Sequence, residues 1–198
     1  MLHLPDVSYA QPNVDWAKVA QRNGGAAIIK ATEGVTLVDA LWAQGRRQSA
    51  HRHGIKVLGM YHFLDADPDP VAQAQHFVST VGSLKPGEFA IVDVEVGAGS
   101  EAQRTKAFVD YVDQHLYGGH PGTWVYGSSS FFADHGLMGF AESRRHTWVA
   151  AYGPTPPSVP HTLWQYTDAA QWPGIGTCDS SIYDGTLAQL REVLVAPA

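Results

Sequence analysis

The sequence predicts an α/β fold, an irregular TIM-like barrel of five βα units followed by three further strands, (β/α)5(β)3. Three observations predict it. Short apolar runs alternate with helix-like patterns as far as about residue 126, the rhythm of a parallel sheet wrapped by helices. Beyond that point, strand-like stretches follow one another without full helices between them. Two carboxylates, Asp93 and Glu95, stand near the end of a buried strand, where barrels of this type carry their chemistry.

Length and charge narrow the function before any motif is considered. A chain of 198 residues can fill one hydrophobic core, so residues 1–198 are expected to form a single domain. A formal net charge of -6 provides no basic field for nucleic acid or an anionic membrane surface. Residues 1–8 lack the charged segment and apolar run of a secretory signal, and no stretch approaches the roughly 20 apolar residues of a membrane span. No membrane insertion is expected. The single cysteine, Cys178, rules out an internal disulfide framework.

Taken in order, the first strand ends near Asp6. Asp15 can cap a helix carrying Trp16, Val19 and Ala20 that closes at Gly24 and Gly25. Residues 26–31 read as a buried strand. A second helix is predicted over about 38–53, stopped by Gly54, with a long strand over 55–64. Asp69 before Pro70 suits a helix start, and Val71, Ala74, Phe77, Val78 and Val81 share one face. The strand 89–96 follows. Ser100 with Gln103 has the form of a capping box for a helix that turns Ala107, Phe108, Tyr111 and Val112 to the core and ends at Gly118 and Gly119. Stretches at 123–126, 147–151, 163–166 and 179–183 complete the strands, and the Pro-rich segment 154–160 is a loop within the barrel.

The strongest chemical signal is Ala90-Ile91-Val92-Asp93-Val94-Glu95-Val96. With a period of two, the valines face the covering helices while Asp93 and Glu95 share the other face, their backbones roughly 6.6 Å apart. Glycoside cleavage needs a proton donor for the leaving oxygen and a second group that meets positive charge at the anomeric carbon. Glu95, with the longer reach, is the expected acid. Asp93 is expected to remain charged, as nucleophile or as the group that steadies a substrate acetamide. Asp6 and Asp179, on the first and last strands, become neighbours when a barrel closes and can join them. The competing roles are a solvated or salt-bridged pair for the first two acids and turn formation for the second two.

Tyr61, Tyr126, Trp148, Tyr152, Trp164 and Tyr166 recur at strand ends, and aromatic rings with a few fixed polar groups suit the apolar faces and polar edges of sugars. Core packing is the competing role for each. Ten histidines raise the question of a metal, but His51 and His53 are two apart and do not form the i, i+4 pair of a helical zinc site. They read as solvated surface residues, and neither a metal nor any other cofactor is expected. His62 is either a satisfied core histidine or a hydrogen-bond partner in the site.

The segments Asp6-Val7-Ser8-Tyr9, Val14-Asp15-Trp16, Ile28-Ile29-Lys30-Ala31-Thr32-Glu33-Gly34, Gly59-Met60-Tyr61-His62-Phe63, Asp93-Val94-Glu95, Trp148-Val149-Ala150-Ala151-Tyr152 and Trp164-Gln165-Tyr166, with a final Asp179, stand in this order along the chain. They closely resemble the lysozymes (muramidases) of glycoside hydrolase family 25. The resemblance covers nearly the whole chain. It implies the same barrel and cofactor-free hydrolysis of the β-1,4 bond between N-acetylmuramic acid and N-acetylglucosamine in bacterial peptidoglycan. It implies Glu95 as acid, Asp93 as its partner, Asp6 and Asp179 completing an acidic set, and Lys30 among the substrate-binding residues. A monomer is expected, either a phage endolysin made in the host cytoplasm and released to the wall or a secreted bacterial enzyme lacking its leader. Two other classes stay open, a glycan-binding module without catalysis and a zinc-dependent cell-wall amidase or deacetylase.

Overall fold

A computed structural model describes residues 1–143 and 146–195. Its first half runs β1 (Leu2–Val7), α1 (Trp16–Asn23), β2 (Ala26–Glu33), β3 (Leu37–Val38), α2 (Ala40–Ala43), α3 (Arg46–Arg52), β4 (Val57–Phe63) and α4 (Pro70–Val81). The second half runs β5 (Glu88–Asp93), α5 (Ala102–Leu116), β6 (Trp124–Ser128), α6 (Ser129–Asp134), α7 (Met138–Glu142), β7 (Thr147–Ala150), β8 (Leu163–Trp172), β9 (Gly176–Tyr183) and α8 (Leu187–Val195). Strand order is β1-β9-β8-β7-β6-β5-β4-β2, and pairing of β1 with β2 closes the ring. Seven strands run parallel, while β9 is antiparallel to both of its neighbours. β3 adds a two-residue hairpin to β2. The barrel is thus the expected one, five βα units and three further strands.

Strand alternation divides the core in two. Leu4, Ile28, Phe89, Ile91, Trp124, Trp148 and Leu163 fill the barrel, and Leu190 of α8 packs with them. The alternate residues Val7, Ile29, Met60, Val92, Val125 and Val149 face outward and pack on Trp16 and Val19 of α1, Phe77 of α4 and Phe108 and Val112 of α5. Gly59 makes the interior fit, since a Cβ there would lie 2.8 Å from the Phe89 ring and 2.9 Å from Ile91 Cδ1.

Several local expectations hold. Asp15 accepts from the Lys18 N–H at 3.2 Å, Asp69 accepts from the Val71 N–H at 2.9 Å, and α1 ends on a left-handed Gly24. Others do not. The single helix expected over 38–53 is two short ones, because Gly45 adopts a φ of +87°, outside the α-helical region. Ser100 makes no cap; Glu101 precedes α5 in a helical conformation without a side-chain cap hydrogen bond, and it pairs with Arg104 at 3.0 Å. β5 ends at Asp93 rather than at residue 96, and α6 and α7 fill part of the interval before β7. The β8–β9 hairpin extends past the barrel and folds over α1, where the Asp15 N–H donates to Gly174 O at 2.7 Å.

Candidate active site

The end of β5 places two carboxyls at the mouth of the barrel. Phe89 and Ile91 point into it while Ala90, Val92 and Val94 point to the helices, so Asp93 follows Ile91 inward. Although β5 stops there, the Val94 N–H donates to Tyr126 O and the Leu64 N–H to Asp93 O, both at 2.9 Å. This anchored, extended backbone keeps residue 95 on the side of residue 93. The two carboxyls have unlike surroundings. Asp93 is 6% exposed and its Oδ1 has no hydrogen-bond partner among the described residues, whereas Glu95 is exposed. Burial, with Glu95's charge behind it, pushes Asp93 well above the usual carboxylate range, against the opposing pull of Lys30. Glu95 is raised too, chiefly by desolvation from the surrounding walls, with the Tyr126 hydroxyl and the Lys30 charge acting the other way. The charged Asp93 expected from sequence therefore stands in a place that disfavours its charge.

Across the mouth, Asp6 and Asp179 face each other in the β1–β9 ladder. Gln165 joins them: its Nε2 donates to Asp6 Oδ2 and Asp179 Oδ2, each at 3.2 Å. Its Oε1 accepts from the hydroxyls of Tyr126 at 2.8 Å and Tyr152 at 3.4 Å. Burial, then the charge of Asp179, holds Asp6 well above its ordinary value, while Asp179 is raised to about 6 by burial and Asp168. Sequence reasoning missed Gln165. The signal was available, since a polar residue on the inward side of a buried strand, two from Leu163, needs partners there.

The other anticipated residues divide by face. Lys30 enters the mouth from β2, pairs with Glu33, and has Nζ 5.2 Å from the Phe63 ring and 6.0 Å from the Tyr61 ring. Tyr61 lies half-buried beside it, and Tyr152 is 58% exposed at the rim. Tyr126 is buried, and Trp148 lies inside the barrel against it, 4.1 Å between ring centroids, with its Nε1 donating to Ser181 Oγ at 2.8 Å. Trp164 and Tyr166 lie on the side of β8 opposite Leu163 and Gln165, where Tyr166 meets His3 and the Trp164 indole donates to Ala151 O at 2.7 Å.

The histidines lie elsewhere. His62 is a core residue between the sheet and α4, bonded to Thr32 Oγ1 at 2.8 Å and Gln73 Oε1 at 3.2 Å, and burial lowers it to about 3. His51 is not a solvated surface residue; its Nε2 lies 2.6 Å from Glu88 Oε1, because α3 packs over the start of β5. Among the described residues, no three His, Cys, Asp or Glu side chains are grouped to hold a metal ion.

Residues 5–175 match the sequence profile of Glycosyl hydrolases family 25. The chain belongs to this family. The family 25 chain is 29% identical over 177 residues to an autolytic lysozyme of Clostridium acetobutylicum, an alignment covering 88% of this chain and 53% of that protein. It thus spans about half the length of that relative. It is 28% identical to an N,O-diacetylmuramidase of Arthroderma benhamiae, covering 94% of this chain and 83% of the relative. The crystal structure of the bacterial lysozyme from Streptomyces coelicolor superposes on the family 25 chain with a TM-score of 0.83 and 26% identity, covering 98% and 96% of the two chains. Among the described residues, no helix of the family 25 chain is long and apolar enough to cross a membrane.

Proposed function

We propose that this family 25 domain is a muramidase, cleaving the β-1,4 bond between N-acetylmuramic acid and N-acetylglucosamine in bacterial peptidoglycan, with Glu95 as its acid and base. One observation carries the reading. Two carboxyls of unlike surroundings share the mouth, one open to solvent with a raised pKa and one buried with an oxygen left unpartnered.

Glu95, protonated, gives its proton to the glycosidic oxygen as the bond from that oxygen to C1 of muramic acid breaks. The substrate's acetamide oxygen forms a bond to C1 from the other face. Asp93 accepts the acetamide N–H and favours the positive charge that develops there. Asp93 acts as a carboxylate throughout the step and neither gains nor loses a proton; its Oδ1, unpartnered among the described residues, is free to accept the acetamide N–H, and the positive charge that develops beside it offsets the cost of its burial. Water then attacks C1 and gives a proton to the Glu95 carboxylate. The bond from C1 to the acetamide oxygen breaks, and the original configuration is restored. Asp6, Asp179 and Gln165 line the opposite wall, where they accept from and donate to sugar hydroxyls. The domain acts as a monomer at the bacterial wall, in a phage lysin or an autolysin.

The test is mass spectrometry of fragments released from purified peptidoglycan and reduced with borohydride, with a chelator present. Wild type should yield muropeptides ending in reduced muramic acid, and Glu95→Gln should yield none. Reduced glucosamine ends would move the cut bond. No new reducing ends would leave a glycan-binding module.

A further inference from the structure

Outside the mouth, the β8–β9 hairpin borders a groove that the proposed reaction does not use. It has a volume of about 480 Å³ and is lined by Tyr152, Tyr166, Gln171, Trp172 and Arg22, among others. Two features set its character. Tyr152 lines this groove and, through its hydrogen bond to Gln165 at 3.4 Å, also touches the acidic wall of the mouth, so the groove begins where that wall ends. Arg22 supplies positive charge in a chain of net charge -6. Its guanidinium lies 4.7 Å from the Trp172 ring centroid, and among the described residues no carboxylate lies within ion-pair distance of it. A guanidinium stacked on an indole is held flat with its donors in a fork, so less freedom is lost when it takes a carboxylate. The same two residues border an adjoining hollow of about 370 Å³ beside His3 and Asn23.

We propose that this groove is a subsite for the peptide carried on the lactyl group of muramic acid, with Arg22 pairing a peptide carboxylate. The inference rests on the muramidase reading, which brings such a peptide to the edge of the mouth. The charge pattern sets its direction. The mouth is acidic, its Lys30 is already paired with Glu33, and Asp168 adds negative charge near Tyr152, so an anionic chain that leaves the mouth past Tyr152 gains favourable charge at Arg22. The exposed ring of Tyr152 and the half-buried ring of Tyr166 suit the apolar side chains between.

Calorimetric titration in the Glu95→Gln background tests this without turnover. The ligands are soluble glycan strands, freed of wall phosphate polymers, with their peptides intact or removed by an amidase. Peptide removal is expected to weaken binding roughly two- to fivefold, the upper part of the range for an exposed charge-assisted pair. Adding Arg22→Gln should weaken binding of the intact strands by a similar factor and abolish the difference between the two ligands, and Arg22→Lys should restore part of it. Equal weakening on both ligands would make the groove a sugar site and overturn the proposal, as would no effect of Arg22→Gln. A parallel wild-type digest reports on the muramidase reading separately: peptide-dependent binding without new reducing ends would sink that reading and leave the subsite standing.

Discussion

Asp6 lies directly across from Asp179 in the β1–β9 ladder, and the two carboxyls share a single amide donor, Gln165 Nε2. Two buried or half-buried acids, one amide and two tyrosine hydroxyls form one wall of the mouth, and four of its hydrogen bonds pass through residue 165. Gln165→Leu keeps roughly the volume and removes these four bonds. It should lower unfolding free energy by about 2–5 kcal/mol in urea denaturation, since each buried polar group left alone costs about 1–3 kcal/mol. Unchanged stability would mean that water replaces the amide.

Asp93 is buried where its charge is disfavoured, so its removal should strengthen the fold while abolishing the chemistry. Asp93→Asn is expected to raise stability at neutral pH by about 0.5–2 kcal/mol, in line with the usual trade between stability and activity. Its lytic rate should fall by at least about 10²-fold. Paired thermal melts and turbidity assays check both, and a destabilised Asn variant would show that the charge is satisfied after all.

Asp179 gives a pH signature. Burial and the charge of Asp168 raise it to about 6 in the folded chain, against about 3.9 when unfolded. The folded state therefore binds this proton more tightly. The stability it contributes is full below about pH 4 and is lost as pH rises through about 6. Asp179→Asn should remove that loss, worth about 1–2 kcal/mol after screening at a partly exposed group. Melting curves of the two proteins should coincide in acid and separate towards neutrality, with the variant higher.

Far from the mouth, Arg47 donates through Nε to Glu88 Oε1 at 2.7 Å, and His51 meets the same oxygen. Burial alone would raise Glu88, but the bonds from Arg47, the Lys85 N–H and His51 outweigh it and lower the carboxyl. Glu88→Ala strands a buried guanidinium and should cost about 3–5 kcal/mol by denaturant titration. Activity per folded molecule should stay at the wild-type level, because the network lies at the opposite end of β5 from Asp93.

Much of this molecule is written locally. Asp15, Asp69 and Gly24 mark helix ends because caps satisfy backbone groups within a few residues, and they appear where the sequence puts them. The inward placement of Asp93 follows from a period of two that needs no knowledge of the rest of the chain. The same period misleads at β8, where Trp164 and Tyr166 drew attention as aromatics and Gln165, on the other face, did not. The helix expected over 38–53 fails for a similar reason, since its apolar pattern continues through Gly45 while the backbone does not.

By itself, then, the sequence determined the barrel, its strand order of appearance, the family and the pair of carboxyls at the end of β5, all consequences of short-range periodicity and motif. Tertiary structure alone decided which groups meet in the mouth and which of them keep water. Gln165 reaches Asp6 across 159 residues of chain, and the buried state of Asp93 and the open state of Glu95 are set by walls built from other strands. Proton affinity depends on desolvation and on charges close in space. Neither has a period that a linear sequence can display.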